Sequence, residues 1–162
     1  YYHFKKPRTL VSSGGLGAMG FGLPAAIGAS VGQPGKMVIL VTGDGSIQMT
    51  MQELGTMREQ GLPLKIVILN NRSLGMVRQL QQFYCEGRYF AVDFGFHPDF
   101  MQLAKAYGIP GFEVKTEADV VRTLPQALLE PGPALVECLI PPEENVMPMV
   151  LAGTGIDEAI DH

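Results

Sequence analysis

The chain has 162 residues, of which 46% are hydrophobic and 17% are charged. This length and composition suit one domain with a sizeable core, and they argue against a disordered chain. The net charge of −4 argues against a surface for duplex nucleic acid or for an anionic membrane. The apolar runs, such as residues 65–69, are too short to span a bilayer.

The numbers of cysteines and glycines indicate the cellular compartment of the protein and the role of its glycines. Cys85 and Cys138 are too few for a disulfide framework, and free thiols are typical of a reducing compartment, so we expect a cytoplasmic protein. The 20 glycines have no collagen-like period, which places the excess at particular backbone sites. The chain begins with Tyr1 and Tyr2 instead of methionine, and we expect it to be part of a longer protein.

Short apolar runs alternate with helical patterns, which predicts an α/β fold with a mainly parallel sheet and helices on both faces. After a run compatible with a short lead-in strand at residues 9–12, strands are predicted at 37–42, 65–69, 111–114 and 134–140. Helices are predicted at 21–30, 50–60, 75–84, 98–107 and 116–129. Residues 85–95 are expected to form a loop, and an irregular arm begins at about residue 142 of a single domain, residues 1–162.

A first glycine motif, Gly15, Gly17 and Gly20, fits the G-x-G-x-x-G pattern of dinucleotide-binding folds. Two features count against a nicotinamide or flavin site. Residues 12–15 are loose for a tight turn between a strand and a helix. Asp44, 24 residues after Gly20, lies between two glycines, which offer no side chains to contact a ribose. The dinucleotide interpretation is therefore the minor one.

A second motif places polar residues after two successive buried strands. Asp44 lies in the sequence Gly-Asp-Gly-Ser, and Asn70 and Asn71 end the next strand. Because parallel strands end at one edge of a sheet, Asp44 and Asn71 are expected to face each other there. Their carboxylate and amide oxygens suit Mg²⁺, and the N–H groups of Gly45 and Ser46 suit phosphate oxygens. The motif predicts a metal-bridged diphosphate.

Each half of that motif has an ordinary alternative. Asp44 alone is compatible with an Asx-turn or a helix cap, and Asn70 and Asn71 with a polar strand end. Their joint spacing favours the site. His3 and His97 have no zinc spacing and are most simply structural. Three arginines near the predicted loop are most simply solvated: Arg72, Arg78 and Arg88.

Several blocks of sequence carry a family resemblance. The Gly-Asp-Gly-Ser and Asn-Asn motif resembles the thiamine-diphosphate motif of pyruvate-oxidase-like enzymes. The closer resemblance is to the catalytic (large) subunit of acetolactate synthase, and it rests on residues 12–28, 69–79 and 147–153. It covers the C-terminal third of that family's chain and implies the thiamine-diphosphate-binding fold.

The resemblance implies a role for individual residues. The carbonyl of Gly17 and the N–H of Met19 would bind the aminopyrimidine, while the Met19 side chain keeps the cofactor bent. Mg²⁺ would be bound by Asp44, Asn71 and the main-chain carbonyl of Ser73. The diphosphate and thiazolium would be lined by Gly45, Ser46, Gly75 and Met76.

The implied reaction is decarboxylation of pyruvate and carboligation to a second 2-keto acid, pyruvate or 2-ketobutyrate, towards branched-chain amino acids. The resemblance also implies a homodimer or tetramer, and it allows FAD and a regulatory small subunit for the full-length enzyme. The family's glutamate that protonates the pyrimidine lies in a partner subunit, and no residue here matches it. We therefore assign no catalytic residue, and we expect the chain alone to be inactive and to bind the cofactor weakly at best.

One position departs from the family pattern. Leu80 stands where many members carry a tryptophan that lines the substrate channel, and ordinary packing is equally open for it. The alternatives to the leading hypothesis are another thiamine-diphosphate enzyme (pyruvate oxidase, glyoxylate carboligase or a 2-keto-acid decarboxylase) or a non-catalytic module of the same fold.

Overall fold

The structure is a computed structural model that describes residues 2–161. In this part of the chain, four parallel strands form one sheet in the order β1-β2-β4-β3. The strands are β1 Val38–Gly43, β2 Leu64–Asn70, β3 Gly111–Val114 and β4 Ala134–Leu139. The helices are α1 Gly22–Gly32, α2 Asp44–Gln48, α3 Leu54–Glu59, α4 Gly75–Tyr84, α5 Phe100–Ala106 and α6 Glu117–Leu129. The predicted α/β class with a parallel sheet is confirmed.

Two hydrophobic layers hold helices to the two faces of the sheet. Alternate residues of β2 point into the larger layer, where Leu64, Ile66 and Ile68 are fully buried. They pack against apolar residues of α1, α2, α3 and α5, namely Leu23, Ile47, Leu54, Met57 and Phe100. The smaller layer lies between the sheet and α6, where Ala127 packs against Val136. Helices therefore lie on both faces, as predicted. The prediction of a buried strand at residues 37–42 is wrong, because β1 is an edge strand whose Ile39 and Val41 are 51% and 61% exposed on the face that α6 leaves uncovered.

Several predicted helix boundaries are confirmed, and one shifts. Gly61 and Gly108 follow α3 and α5 with φ of +58° and +65°, the left-handed conformation that ends helices. Thr116 and Asp119 form the predicted capping box of α6. The start of α5 is two residues later than predicted, because the Asp99 side chain accepts from the Gln102 N–H at 2.9 Å and caps the helix.

The predicted helix at residues 50–60 is wrong at its beginning. Helix α2 begins at Asp44, directly after β1, and a 3₁₀ turn at Met51–Glu53 separates it from α3. Thr50 interrupts the helix with φ −139° and ψ 19°. Its hydroxyl donates to the Gly20 carbonyl at 3.2 Å, a contact between distant parts of the chain that no local pattern reveals.

Residues 9–12 do not form the short lead-in strand. Leu10 and Val11 are 61% and 62% exposed. Within residues 2–161, no strand pairs with the outer edge of β1. A strand is stable only when it pairs with a neighbouring strand, and residues 9–12 are unpaired and exposed.

The C-terminal segment, residues 141–161, lacks regular strands as predicted, but it is tied to α4. The Gln79 side chain is 1% exposed, and its amide donates to the Val146 carbonyl and accepts from the Val146 N–H, both at 2.9 Å. The Tyr84 hydroxyl accepts from the Ala152 N–H at 2.6 Å. Among the helices of residues 2–161, none has the length and apolarity needed to cross a membrane.

Candidate functional site

The candidate site lies at the carboxyl edge of the sheet, where β1 and β2 end side by side. The two strands are parallel, with Gly43 opposite Leu69. Asp44 and Asn70 therefore leave the sheet at neighbouring positions. This placement agrees with the predicted convergence of the Gly-Asp-Gly-Ser and Asn-Asn motifs on one edge.

Asp44 is the most unusual residue at this edge. It is the first residue of α2 and is 1% exposed, and its Oδ2 atom has no hydrogen-bond partner among the described residues. Desolvation raises the pKa of Asp44, and the N–H groups of Gly45 and Arg72 partly offset this rise. A buried carboxylate oxygen without a partner is costly, and a bound cation would satisfy it.

The turn after β2 is shaped by both asparagines. The Asn70 Oδ1 atom accepts from the Arg72 N–H, and the Asn71 Oδ1 atom accepts from the Ser73 N–H, each at 3.1 Å. These are Asx-turns, the ordinary alternative for such a strand end. An amide oxygen has two lone pairs, so Asn71 keeps one for a further partner. A Cβ atom at Gly75 would lie 2.6 Å from Asn71 Nδ2, which explains the glycine there.

The first glycine motif lies against the second. The Gly20 N–H donates to the Ser46 hydroxyl oxygen at 3.0 Å. A Cβ atom at Gly45 would lie 3.4 Å from the Met19 Cε atom. Gly17 has φ +61°, and its N–H donates to the Ser13 carbonyl at 2.7 Å. The structure therefore brings the two glycine-rich segments together, although 26 residues separate Gly20 from Ser46.

Three large apolar side chains assigned to the site are partly open to solvent. Met19, Met76 and Leu80 are 45%, 52% and 41% exposed. Met76 and Leu80 are four residues apart on α4 and so lie on one face of it. Apolar surface of this kind is available to a ligand or to another chain.

Sequence reasoning missed two residues near this edge. Glu137 in β4 is 5% exposed, and its Oε1 atom accepts from Asn70 Nδ2 at 2.6 Å. The available signal was a single glutamate within an apolar strand, since a buried charge is seldom left unpaired. His97, assigned a structural role, lies close enough to Asp44 to lower the pKa of that carboxyl by its charge.

Arg78 also differs from its prediction as a solvated side chain. It is 12% exposed, with its guanidinium 3.8 Å from both Asp93 and Glu143. It also lies over the Tyr89 ring, 4.2 Å from the centroid. Arg78 therefore joins α4 to the following loop and to the C-terminal segment.

A parallel sheet that presents a buried, unpartnered carboxylate and glycine-rich turns at adjacent strand ends belongs to the class of α/β domains that bind phosphate-bearing cofactors. Residues 1–138 match the family of the thiamine pyrophosphate enzyme, C-terminal TPP binding domain. The chain belongs to this family.

Curated relatives agree with the family. The chain is 47% identical over 163 aligned residues to the acetolactate synthase large subunit of Lactococcus lactis, covering 99% of this chain and 28% of that protein. It is 44% identical to the acetolactate synthase isozyme 2 large subunit of Escherichia coli, covering 96% and 28%. It is 44% identical to the chloroplastic acetolactate synthase of Arabidopsis thaliana, covering 99% and 25%. The chain thus spans about a quarter of the length of these relatives.

A solved structure confirms the fold assignment. The thiamine diphosphate-dependent 4-hydroxybenzoylformate decarboxylase of Rhodococcus jostii superposes with a TM-score of 0.71 at 34% identity. The match covers 77% of this chain and 24% of that one. The resemblance to acetolactate synthases and the thiamine-diphosphate-binding fold are therefore both confirmed.

Proposed function

We propose that this chain is the part of an acetolactate synthase that binds thiamine diphosphate and Mg²⁺. The observation that carries the proposal is the buried Asp44 Oδ2 atom, which lacks a partner among the described residues. The Asp44 carboxyl is also close to the backbone N–H of Arg72, the residue between Asn71 and Ser73. The family of the chain and the names of its relatives support this function.

The donor set fits a hard divalent cation. Asp44 would supply one charged oxygen, Asn71 the free lone pair of its amide oxygen, and Ser73 its main-chain carbonyl. Mg²⁺ prefers six oxygens, so diphosphate oxygens would complete the shell. A Cβ atom at Gly45 would lie 3.1 Å from Leu74 and from Phe94, which explains the glycine at this position.

The glycine-rich loop would hold the pyrimidine end of the same ligand. We assign the Gly17 carbonyl and the Met19 N–H to the ring, with the Met19 side chain against the cofactor. The hydrogen bond between Gly20 and Ser46 fixes this loop relative to Asp44. When bound, thiamine diphosphate supplies the electron sink for cleavage next to a 2-keto group. Met76 and Gly75 would line its diphosphate and thiazolium, and Leu80 the substrate channel.

The reaction and its partners are part of the proposal. We propose pyruvate as the donor and a second pyruvate or 2-ketobutyrate as the acceptor. The chain spans about a quarter of its relatives, so we assign turnover to a homodimer or tetramer of the full-length protein. The family resemblance also allows FAD and a regulatory small subunit in that protein. No residue of this chain is assigned as the acid that protonates the pyrimidine, and we expect the chain alone to be inactive.

Product analysis tests this function. The full-length protein is incubated with pyruvate, thiamine diphosphate and Mg²⁺, with and without 2-ketobutyrate or glyoxylate. We expect acetolactate and acetohydroxybutyrate, and Asp44→Ala is expected to abolish both. Acetaldehyde as the main product would instead favour a decarboxylase, the class of the solved structural relative. Acetyl phosphate or tartronate semialdehyde would favour an oxidase or a glyoxylate carboligase.

A further inference from the structure

Glu137 and Asn70 form a buried polar pair beneath the proposed metal site. They lie on adjacent strands, β4 and β2, and are 5% and 1% exposed. The Glu137 Oε1 atom accepts from Asn70 Nδ2 at 2.6 Å. A buried carboxylate in an otherwise apolar strand is expensive, and an apolar residue would pack there at lower cost unless the carboxylate has a task.

The pair determines which way the Asn70 amide faces. An ionised carboxylate only accepts hydrogen bonds, so it selects the Nδ2 end of the amide. The Oδ1 end must then face the other way, where it accepts from the Arg72 N–H at 3.1 Å. A reversed amide would place two donors together at Arg72 and two acceptors together at Glu137.

The orientation of Asn70 is transmitted to the proposed ligands. Arg72 has φ +55°, a left-handed conformation that is unfavourable for a non-glycine residue and needs support from its surroundings. The Arg72 N–H also lies close enough to Asp44 to lower the pKa of that carboxyl. Asn71 and Ser73 occupy the positions on either side of Arg72. The geometry of this one residue therefore decides where both assigned ligands point.

We propose that Glu137 is a positioning residue that acts through Asn70 to shape the turn of residues 70–73 for Mg²⁺. This inference rests on the proposed function. Glu137 acts as a hydrogen-bond acceptor, and its charge is not required. A glutamine at position 137 can still present an acceptor oxygen to Asn70 Nδ2, because the Arg72 N–H continues to require the Oδ1 end of Asn70, whereas a leucine leaves Nδ2 without that acceptor.

Glu113 provides a matched control. It lies directly opposite Glu137 in the register of β3 and β4. Its side chain is exposed and pairs with Lys115 at 2.6 Å. Glu113→Gln therefore makes the same chemical change one strand away, where it removes only an exposed ion pair, which contributes little to stability.

The test measures Mg²⁺ affinity of the full-length protein at saturating thiamine diphosphate, by calorimetry, together with the unfolding temperature in EDTA. Loss of one buried acceptor corresponds to about a tenfold weaker Mg²⁺ affinity for Glu137→Leu. Glu137→Gln and Glu113→Gln are expected to stay within about threefold of wild type. Asn70→Ala is expected to match Glu137→Leu, and the double variant to be no weaker than Asn70→Ala.

Each other outcome has a definite meaning. Unchanged Mg²⁺ affinity in Glu137→Leu, with only a lower unfolding temperature, would show a purely structural role. Equal losses in Glu137→Gln and Glu137→Leu would contradict the claim that an acceptor oxygen without the charge is sufficient. If Glu137→Leu does not fold, normal Mg²⁺ affinity in Asn70→Ala overturns the inference. A wild-type protein that binds no thiamine diphosphate overturns the proposed function, and the role of Glu137 falls with it.

Discussion

The hydroxyl oxygen of Ser46 accepts a hydrogen bond from the N–H of Gly20 at 3.0 Å. This contact joins the loop before α1 to the first turn of α2, the two glycine-rich segments of the chain. Thr50 strengthens the junction, because its hydroxyl donates to the Gly20 carbonyl at 3.2 Å. The backbone of Gly20 thus holds the loop proposed to bind the pyrimidine in a fixed position relative to the helix proposed to bind the diphosphate.

Ser46→Ala is expected to loosen that junction. The lost hydrogen bond predicts a free energy of unfolding lower by about 1 kcal/mol, measured by urea denaturation. We also expect weaker thiamine diphosphate binding in the full-length protein, because the loop that carries Gly17 and Met19 is no longer held. Ser12→Ala, in an exposed part of the chain, is the control. Equal behaviour of the two variants would contradict the proposed coupling.

Asp44→Asn is expected to stabilise the ligand-free protein at neutral pH. Burial raises the pKa of Asp44 above 3.8, so its ionised form opposes folding. The difference in stability between the Asp44→Asn variant and the wild-type protein should be largest above the raised pKa and should vanish as the pH falls below 3.8. Thermal unfolding in EDTA across the acidic range measures this difference.

The same variant separates stability from binding. Mg²⁺ with thiamine diphosphate should raise the unfolding temperature of wild type but not of Asp44→Asn, because the charged ligand is lost. Asp161→Asn, at an exposed position, is expected to match wild type in both conditions. A ligand-induced rise of equal size in Asp44→Asn would contradict the assignment of Asp44 to the metal.

Two glycine-to-alanine variants test the close contact between Gly75 and Asn71. Gly28→Ala is the control in another helix and is expected to stabilise the protein, whereas Gly75→Ala is expected to disturb the proposed metal site. At Gly28 a Cβ atom meets nothing within 4 Å, so alanine should raise the free energy of unfolding by about 0.5–1 kcal/mol. At Gly75 the new Cβ atom would lie 2.6 Å from Asn71 Nδ2 and displace that side chain. We expect Gly75→Ala to weaken Mg²⁺ binding, measured by titration. Undiminished Mg²⁺ affinity would show that Asn71 is not a ligand.

Gln79→Ala is expected to release the C-terminal segment from α4. The variant loses two hydrogen bonds to the Val146 backbone, which predicts a loss of about 1–3 kcal/mol in the free energy of unfolding. Limited proteolysis should then cleave residues 141–161 faster. Gln82→Ala, three residues away, loses a single exposed contact with Asn145 and should change little. Equal cleavage rates in the two variants would contradict this role of Gln79.

The sequence predicted what depends on local patterns. Apolar runs such as residues 66–69 identify the buried strand β2, and Gly61 and Thr116 mark a helix end and a helix start. The parallel order of the strands then places Asp44 beside Asn70 without knowledge of any side-chain contact. These features were predictable because each follows from residues that are near one another in sequence.

What the sequence did not predict depends on contacts between distant residues. Thr50 breaks a helix where its hydroxyl reaches Gly20, 30 residues away. Glu137 pairs with Asn70 across 67 residues. The run at residues 9–12 has the composition of a strand but pairs with no strand of the described structure. Pairing partners, not composition, decide such cases.

The central claim is that Asp44 and the turn at Asn71 bind thiamine diphosphate through Mg²⁺. Calorimetric titration of thiamine diphosphate into the full-length protein, in Mg²⁺ and in EDTA, tests it most directly. We expect binding in Mg²⁺ that weakens at least about tenfold in EDTA and in Asp44→Ala, whereas Asp161→Ala binds as wild type does. Equal affinity in Mg²⁺ and EDTA, or wild-type affinity in Asp44→Ala, would contradict it.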